Sequence, residues 1–235
     1  MQIPVQHFGP TPLVRPGRGQ SARWRLGRIE LILEPVRGGW SLLCLDGEVA
    51  RTWSLGLSDE GELWLDCRVP RLPVHLALRD PLVLVPRSRV RGYVTLPMIP
   101  TICWRDRDGS QQTIAELLPP MLTGEWDEHG DECVQRWSSP LFQRLPPPAE
   151  EPRLVLPLVV RNESPQMQSP ETLPLRLDDR EPRLCRGHVM GSPRRFRVHG
   201  DGAMAVEIRL RENRDAVGSV PTRQRTESLG SELDS

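Results

Sequence analysis

A chain of 235 residues with 31 arginines, no lysine and 31 acidic residues carries no net charge, so the total offers no electrostatic footprint for nucleic acid or anionic lipid. The length suits one large all-β domain or two small ones. No apolar run reaches the roughly 20 residues of a membrane-spanning helix, and without lysine a GxxxxGK[ST] phosphate loop is excluded.

Taken in chain order, residues 1–20 hold four prolines and three glycines without periodicity and read as an extended arm. Segments 21–27 and 28–34 alternate apolar and polar residues, the period of half-buried strands. A turn at Arg37-Gly38-Gly39 leads to a returning strand over 40–46, closed by Asp46-Gly47. Further strands are expected over 62–67, 74–78 and 82–85. Val90, Gly92, Val94 and Leu96 then alternate against Arg89, Arg91, Tyr93 and Thr95. Pro97 should separate that strand from the next, over 98–104. The segment 112–118 is the best helical candidate, with room for little more than one turn. Strands over 132–137, 153–161, 173–177, 195–199 and 203–210 complete the pattern, and Pro157 inside the fourth-last of them argues for a bulge. Residues 211–235 are polar, without apolar periodicity, and read as a disordered tail.

Many short strands with turn signals between them point to an all-β, β-sandwich-like fold without substantial helix. It takes the form of one large sandwich or two small packed lobes over 21–210. Prolines 146–148 suggest a rigid linker, with a sub-lobe boundary near 146–152. Five cysteines, widely spaced and without a CxxC pair, fit neither a disulfide framework nor a zinc knuckle. The N-terminus lacks a basic stretch followed by an apolar one, so no signal peptide is expected. Together these features lead us to expect a cytoplasmic protein with reduced, buried thiols.

The loop Glu125-Trp126-Asp127-Glu128-His129-Gly130-Asp131-Glu132 is the best candidate site. Its carboxylates and imidazole, with Asp127, Glu128, His129 and Asp131 as the candidate metal ligands, have the chemistry to hold a divalent cation or to do acid–base work. Its spacing matches no EF-hand, and a solvated hairpin tip is the simpler reading. Cys185-Arg186-Gly187-His188 is a Cys-x-x-His pair that Cys133 or His199 would have to complete as a zinc tetrad; core cysteine is again the simpler reading. His75 reads as a surface or sheet-packing histidine. Trp24, Trp40, Trp53 and Trp64 would form a stacking face if exposed in one plane, although one tryptophan per strand is more often core. No Gly-x-Ser-x-Gly elbow or dinucleotide loop is present, and no catalytic residue or cofactor is expected.

Three stretches, PRSRVRGYVTLPMIPTICW, LLPPMLTGEWDEHGDECVQRWSSP and LVLPLVVRNESPQMQSPETLPLRL, occur in this order. With them the chain resembles the uncharacterised prokaryotic domain-of-unknown-function family 432, over roughly residues 20–210. Leu96-Pro97, Gly124-Glu125-Trp126 and Arg161-Asn162 carry the resemblance, while the acidic run after Trp126 departs from the family's plainer Trp-Gly turn. The resemblance implies no established activity, cofactor or catalytic residue. It does imply an association with small mechanosensitive channel genes. The expected function is therefore a non-catalytic cytosolic binding or regulatory module with a protein partner such as that channel, without nucleic acid and without inserting into the membrane. The competing reading is a metal-dependent enzyme or ligand binder centred on the acidic loop, 125–132.

Overall fold

The computed structural model describes residues 11–13, 19–56, 61–117, 124–126, 133–149, 151–200 and 203–208. Most of the expected N-terminal arm, the acidic residues 127–132 and the expected tail 211–235 lie outside them.

The described residues form strands β1 (Thr11–Leu13), β2 (Ala22–Leu26), β3 (Ile29–Val36), β4 (Gly39–Asp46), β5 (Val49–Leu55) and β6 (Glu62–Arg68). β7 (Val74–Leu78), β8 (Arg89–Pro97), β9 (Ile99–Arg105), β10 (Gln111–Glu116), β11 (Gly124–Trp126) and β12 (Cys133–Ser139) follow. β13 (Arg153–Asn162), β14 (Thr172–Leu175), β15 (Arg183–Cys185), β16 (His188–Met190), β17 (Arg194–Val198) and β18 (Met204–Ile208) complete them. The fold is all-β, and among the described residues no helix is long and apolar enough to cross a membrane.

The strands build two sandwich-like cores. In the first, the meander β2-β3-β4-β5 faces the sheet β1-β6-β9-β10, and Leu31, Leu33, Leu42, Leu63, Leu65 and Ile102 fill the space between. In the second, β11-β12-β7-β14 faces a sheet ordered β15-β16-β13-β17-β18, with β8 on the other edge of β13. Leu76, Leu84, Leu96, Leu156, Val160 and Phe196 are buried there. Burying each such side chain contributes about 1.5–3 kcal/mol.

The chain does not divide between these cores in sequence order. It leaves the first core after β6, returns to it with β9 and β10, and leaves again for β11 and β12. Pro97 therefore does separate two strands, and the break at Met98 is also the passage from one core to the other. Residues 151–152 lead directly into β13 within the second core. The partly buried Cys67 packs against both clusters.

Several local expectations are corrected. Of the expected helical segment 112–118, residues 112–117 form no helical turn: β10 pairs antiparallel with β9, with a register shift between Thr113 and Ala115. β5 has a weak sequence signal because its residues from Val49 to Thr52 are all exposed. Pro157 causes no bulge, since β13 keeps one register with β8 from Arg153 to Arg161. On its other edge β13 pairs with β16 at residues 154–155 and with β17 from residue 158. Pro157, which lacks an N–H, falls in the interval between the two.

Two buried polar clusters tie the second core together. Asn162, fully buried, donates through Nδ2 to the carbonyls of Leu84, Val85 and Gln166, and its Oδ1 accepts from the N–H and hydroxyl of Ser164. The Asn of the Arg161-Asn162 motif is thus a loop anchor. Arg194, 1% exposed, donates to both carboxylate oxygens of Glu181 at 2.6 and 2.9 Å and to the carbonyls of Arg176 and Ser192. Removing one member of such a pair strands a buried charge, which costs about 3–5 kcal/mol, whereas replacing both by apolar residues is often neutral. Glu181→Ala should therefore lower the midpoint of thermal unfolding sharply, and the double variant Glu181→Leu/Arg194→Met should recover most of the loss. An undiminished Tm in the single variant would show that the pair is dispensable.

Candidate functional site

The acidic candidates Asp127, Glu128, His129 and Asp131 lie outside the described residues. The strands on either side of them, β11 and β12, pair antiparallel with Trp126 opposite Cys133. Cys185 and His188 are opposite one another in the β15–β16 hairpin. Between them Arg186 and Gly187 both have positive φ, 51° and 76°, the signature of a two-residue type I′ turn. The Cys-x-x-His spacing is thus that of a hairpin end. Cys133 belongs to the opposite sheet and His199 follows the far end of β17. No group of three or more His, Cys, Asp or Glu with metal-holding geometry occurs among the described residues.

The tryptophans form no common stacking plane. Trp24 is 3% exposed, and Trp40 and Trp53 pack against the same first core. Trp64 points to the other side of its sheet, where the Arg105 guanidinium lies 4.3 Å from its ring centroid. His75 is half-buried on β7, between Arg136 and Pro174 of the neighbouring strands.

What the fold does assemble is the outer face of the sheet around β13. Leu154, Leu156, Leu158 and Val160 turn into the core, so strand alternation sends Arg153, Val155, Pro157, Val159 and Arg161 outward. Arg161 stands opposite Arg89 of β8 on one side and opposite Arg197 of β17 on the other. One row further, Val159 stands between Arg91 and Arg195. Five arginines thus share one face across three adjacent strands. Glu163 approaches Arg161 at 3.8 Å and Arg197 at 3.9 Å; Glu207 approaches Arg197 at 3.4 Å and Arg195 at 3.6 Å. These are long, exposed pairs of the kind that contribute little. Arg89 and Arg91 have no ion-pair partner among the described residues.

Along the same face, beyond the arginines, come the half-buried Tyr93 opposite Pro157 and then a groove of about 420 Å³. Thr95, Arg153 and His188 line it from the sheet, Phe142 and Glu151 from the covering segment, and prolines 146–148 wall it. The covering segment is held against β8: Tyr93 and Phe142 exchange backbone hydrogen bonds at 2.8 Å. A side chain at Gly92 would meet the Phe142 carbonyl at 2.7 Å, so only glycine allows this approach. Thr95 is fixed by its N–H to Ser139 Oγ at 3.0 Å and by the Trp137 indole N–H to its carbonyl at 2.8 Å. Sequence periodicity places Arg89, Arg91, Tyr93 and Thr95 on one face. The arginines of β13 and β17 could join them only through long-range strand pairing.

The thiols are divided by burial. Burial, with the Asp66 carboxylate adding to it, pushes the Cys67 thiol from 9.0 up to about 12. Burial also pushes Cys44 from 9.0 to about 11, with Asp46 adding and Arg51 opposing. Both thiols are therefore protonated and inert in the native protein at neutral pH, while Cys185 is exposed. Mass spectrometry after brief alkylation near neutral pH should find Cys185 modified and Cys44 and Cys67 untouched until denaturant is added. The linkage sign follows from the raised values. Above about pH 9 the unfolded chain loses these protons while the folded one keeps them, so stability present below that pH should fall as pH rises towards 12. Denaturant midpoints that stay level from pH 8 to about 11 would contradict this assignment.

Comparison with known family models, with curated proteins and with solved structures finds no match for this chain.

Proposed function

We propose that the chain is a non-catalytic, cytosolic binding module that engages an anionic partner through the outer face of β8, β13 and β17. The observation that carries this reading is the row Arg89–Arg161–Arg197, three like charges placed directly opposite one another on adjacent strands. Like charges opposite one another on neighbouring strands destabilise a sheet, and none of the three is buried. A surface that opposes folding in this way is accounted for by what it binds. Arginine's planar fork suits paired contacts to carboxylate or phosphate oxygens. A small mechanosensitive channel is the protein partner that the family resemblance supplies.

Stability and binding should separate at this face. Arg161→Thr should leave the thermal midpoint unchanged or raise it, because it relieves two like-charge contacts at a β-compatible position. A loss above about 1 kcal/mol would identify Arg161 as a packing residue instead. Capture from native membranes with the tagged protein, read by mass spectrometry, should enrich a channel. Absence of any channel would remove that partner.

A further inference from the structure

We infer that the anionic ligand of this face is a single strand of nucleic acid, its phosphates on the arginine rows and a base in the groove beyond Tyr93. This rests on the reading of the face as an anion-binding surface and names the ligand. The neutral total of the chain, which argued against nucleic acid, does not describe this face, where five arginines stand against two glutamates.

The layout favours a nucleotide chain over other polyanions. Alternate residues of a strand stand about 6.8 Å apart on one face, a spacing close to that of neighbouring phosphates in an extended single strand. From the Arg161 row to the Val155 row at the groove is six residues, or about 20 Å, enough for a few nucleotides. Arg89, Arg91 and Tyr93 succeed one another on the same face of β8, so cationic side chains give way to an aromatic ring at the next position. Bases stack on such rings without regard to sequence. The groove then offers Phe142 together with the polar groups of Thr95, Glu151, Arg153 and His188, a mixture suited to an unstacked base rather than to a phosphate. An acidic peptide or a lipid headgroup would use the arginines and leave Tyr93 and the groove without a role. A duplex would keep its bases away from both.

Fluorescence anisotropy with the full chain and a labelled oligonucleotide of about twelve nucleotides tests this. The competing probes are the corresponding duplex, a polyglutamate peptide and vesicles containing phosphatidylserine. The single strand should bind better than all three. Arg91→Ser and Arg161→Ser should each weaken binding and flatten its salt dependence, the log–log slope falling by about 0.7 for each arginine–phosphate pair removed. Tyr93→Leu, which keeps an apolar side chain, should weaken binding at least about fivefold with the slope unchanged, and Tyr93→Phe should restore it. Equal binding of the duplex, or an unaffected Tyr93→Leu, would overturn the single-strand assignment. Binding of polyglutamate or vesicles in its place would overturn it too, yet leave the arginine face standing as an anion site. No binding of any anion would overturn both.

Discussion

Strand β13 is the constraint on which the second half of the molecule depends. Its inward side chains, Leu154, Leu156, Leu158, Val160 and Asn162, are buried, and both of its edges are occupied, by β8 on one side and by β16 and then β17 on the other. A strand buried on one face and paired on both edges has no freedom to slip, because a one-residue shift would turn every apolar side chain outward. The outer face inherits that rigidity. The arginines and the groove are therefore held in a register set by leucines and valines on the opposite side of the same backbone.

That arrangement also explains how a chain without net charge can present a strongly basic surface. Charge is a sum over the whole chain, whereas the field at a surface depends on which charges share it. Here the carboxylates are spread elsewhere or approach the arginines only at long, exposed distances. By contrast, the deeply buried pair of Arg194 with Glu181 has close geometry. Strong pairing marks the structural arginine, and weak pairing marks those of the proposed binding face.

The two cores are joined by more than a linker. Because β9 and β10 return to the first core after β7 and β8 have entered the second, neither core is made from one continuous stretch. Forming either one requires contacts between residues far apart in sequence, which raises the entropic cost of closing the intervening loops. Buried Asn162, holding the carbonyls of Leu84 and Val85, is one such long-range tie. The Arg161-Asn162 dipeptide thus marks a structural anchor.

The sequence alone determined the all-β class, most strand positions and the break at Pro97, because period-two alternation and proline chemistry are local properties of the chain. It also identified the outward face of β8, since alternation assigns Arg89, Arg91, Tyr93 and Thr95 together. It misjudged residues 112–117, where pairing with β9 overrides a short local pattern. It saw no bulge-free place for Pro157, which exists only because two partner strands leave an interval there. It preferred a core cysteine to a metal pair for Cys-x-x-His, whereas left-handed Arg186 and Gly187 make the spacing a hairpin end with Cys185 exposed. The union of Arg89, Arg91, Arg161, Arg195 and Arg197 was decided by tertiary structure alone. Strands β8, β13 and β17 are distant in sequence, and only hydrogen-bonded register places their side chains in common rows.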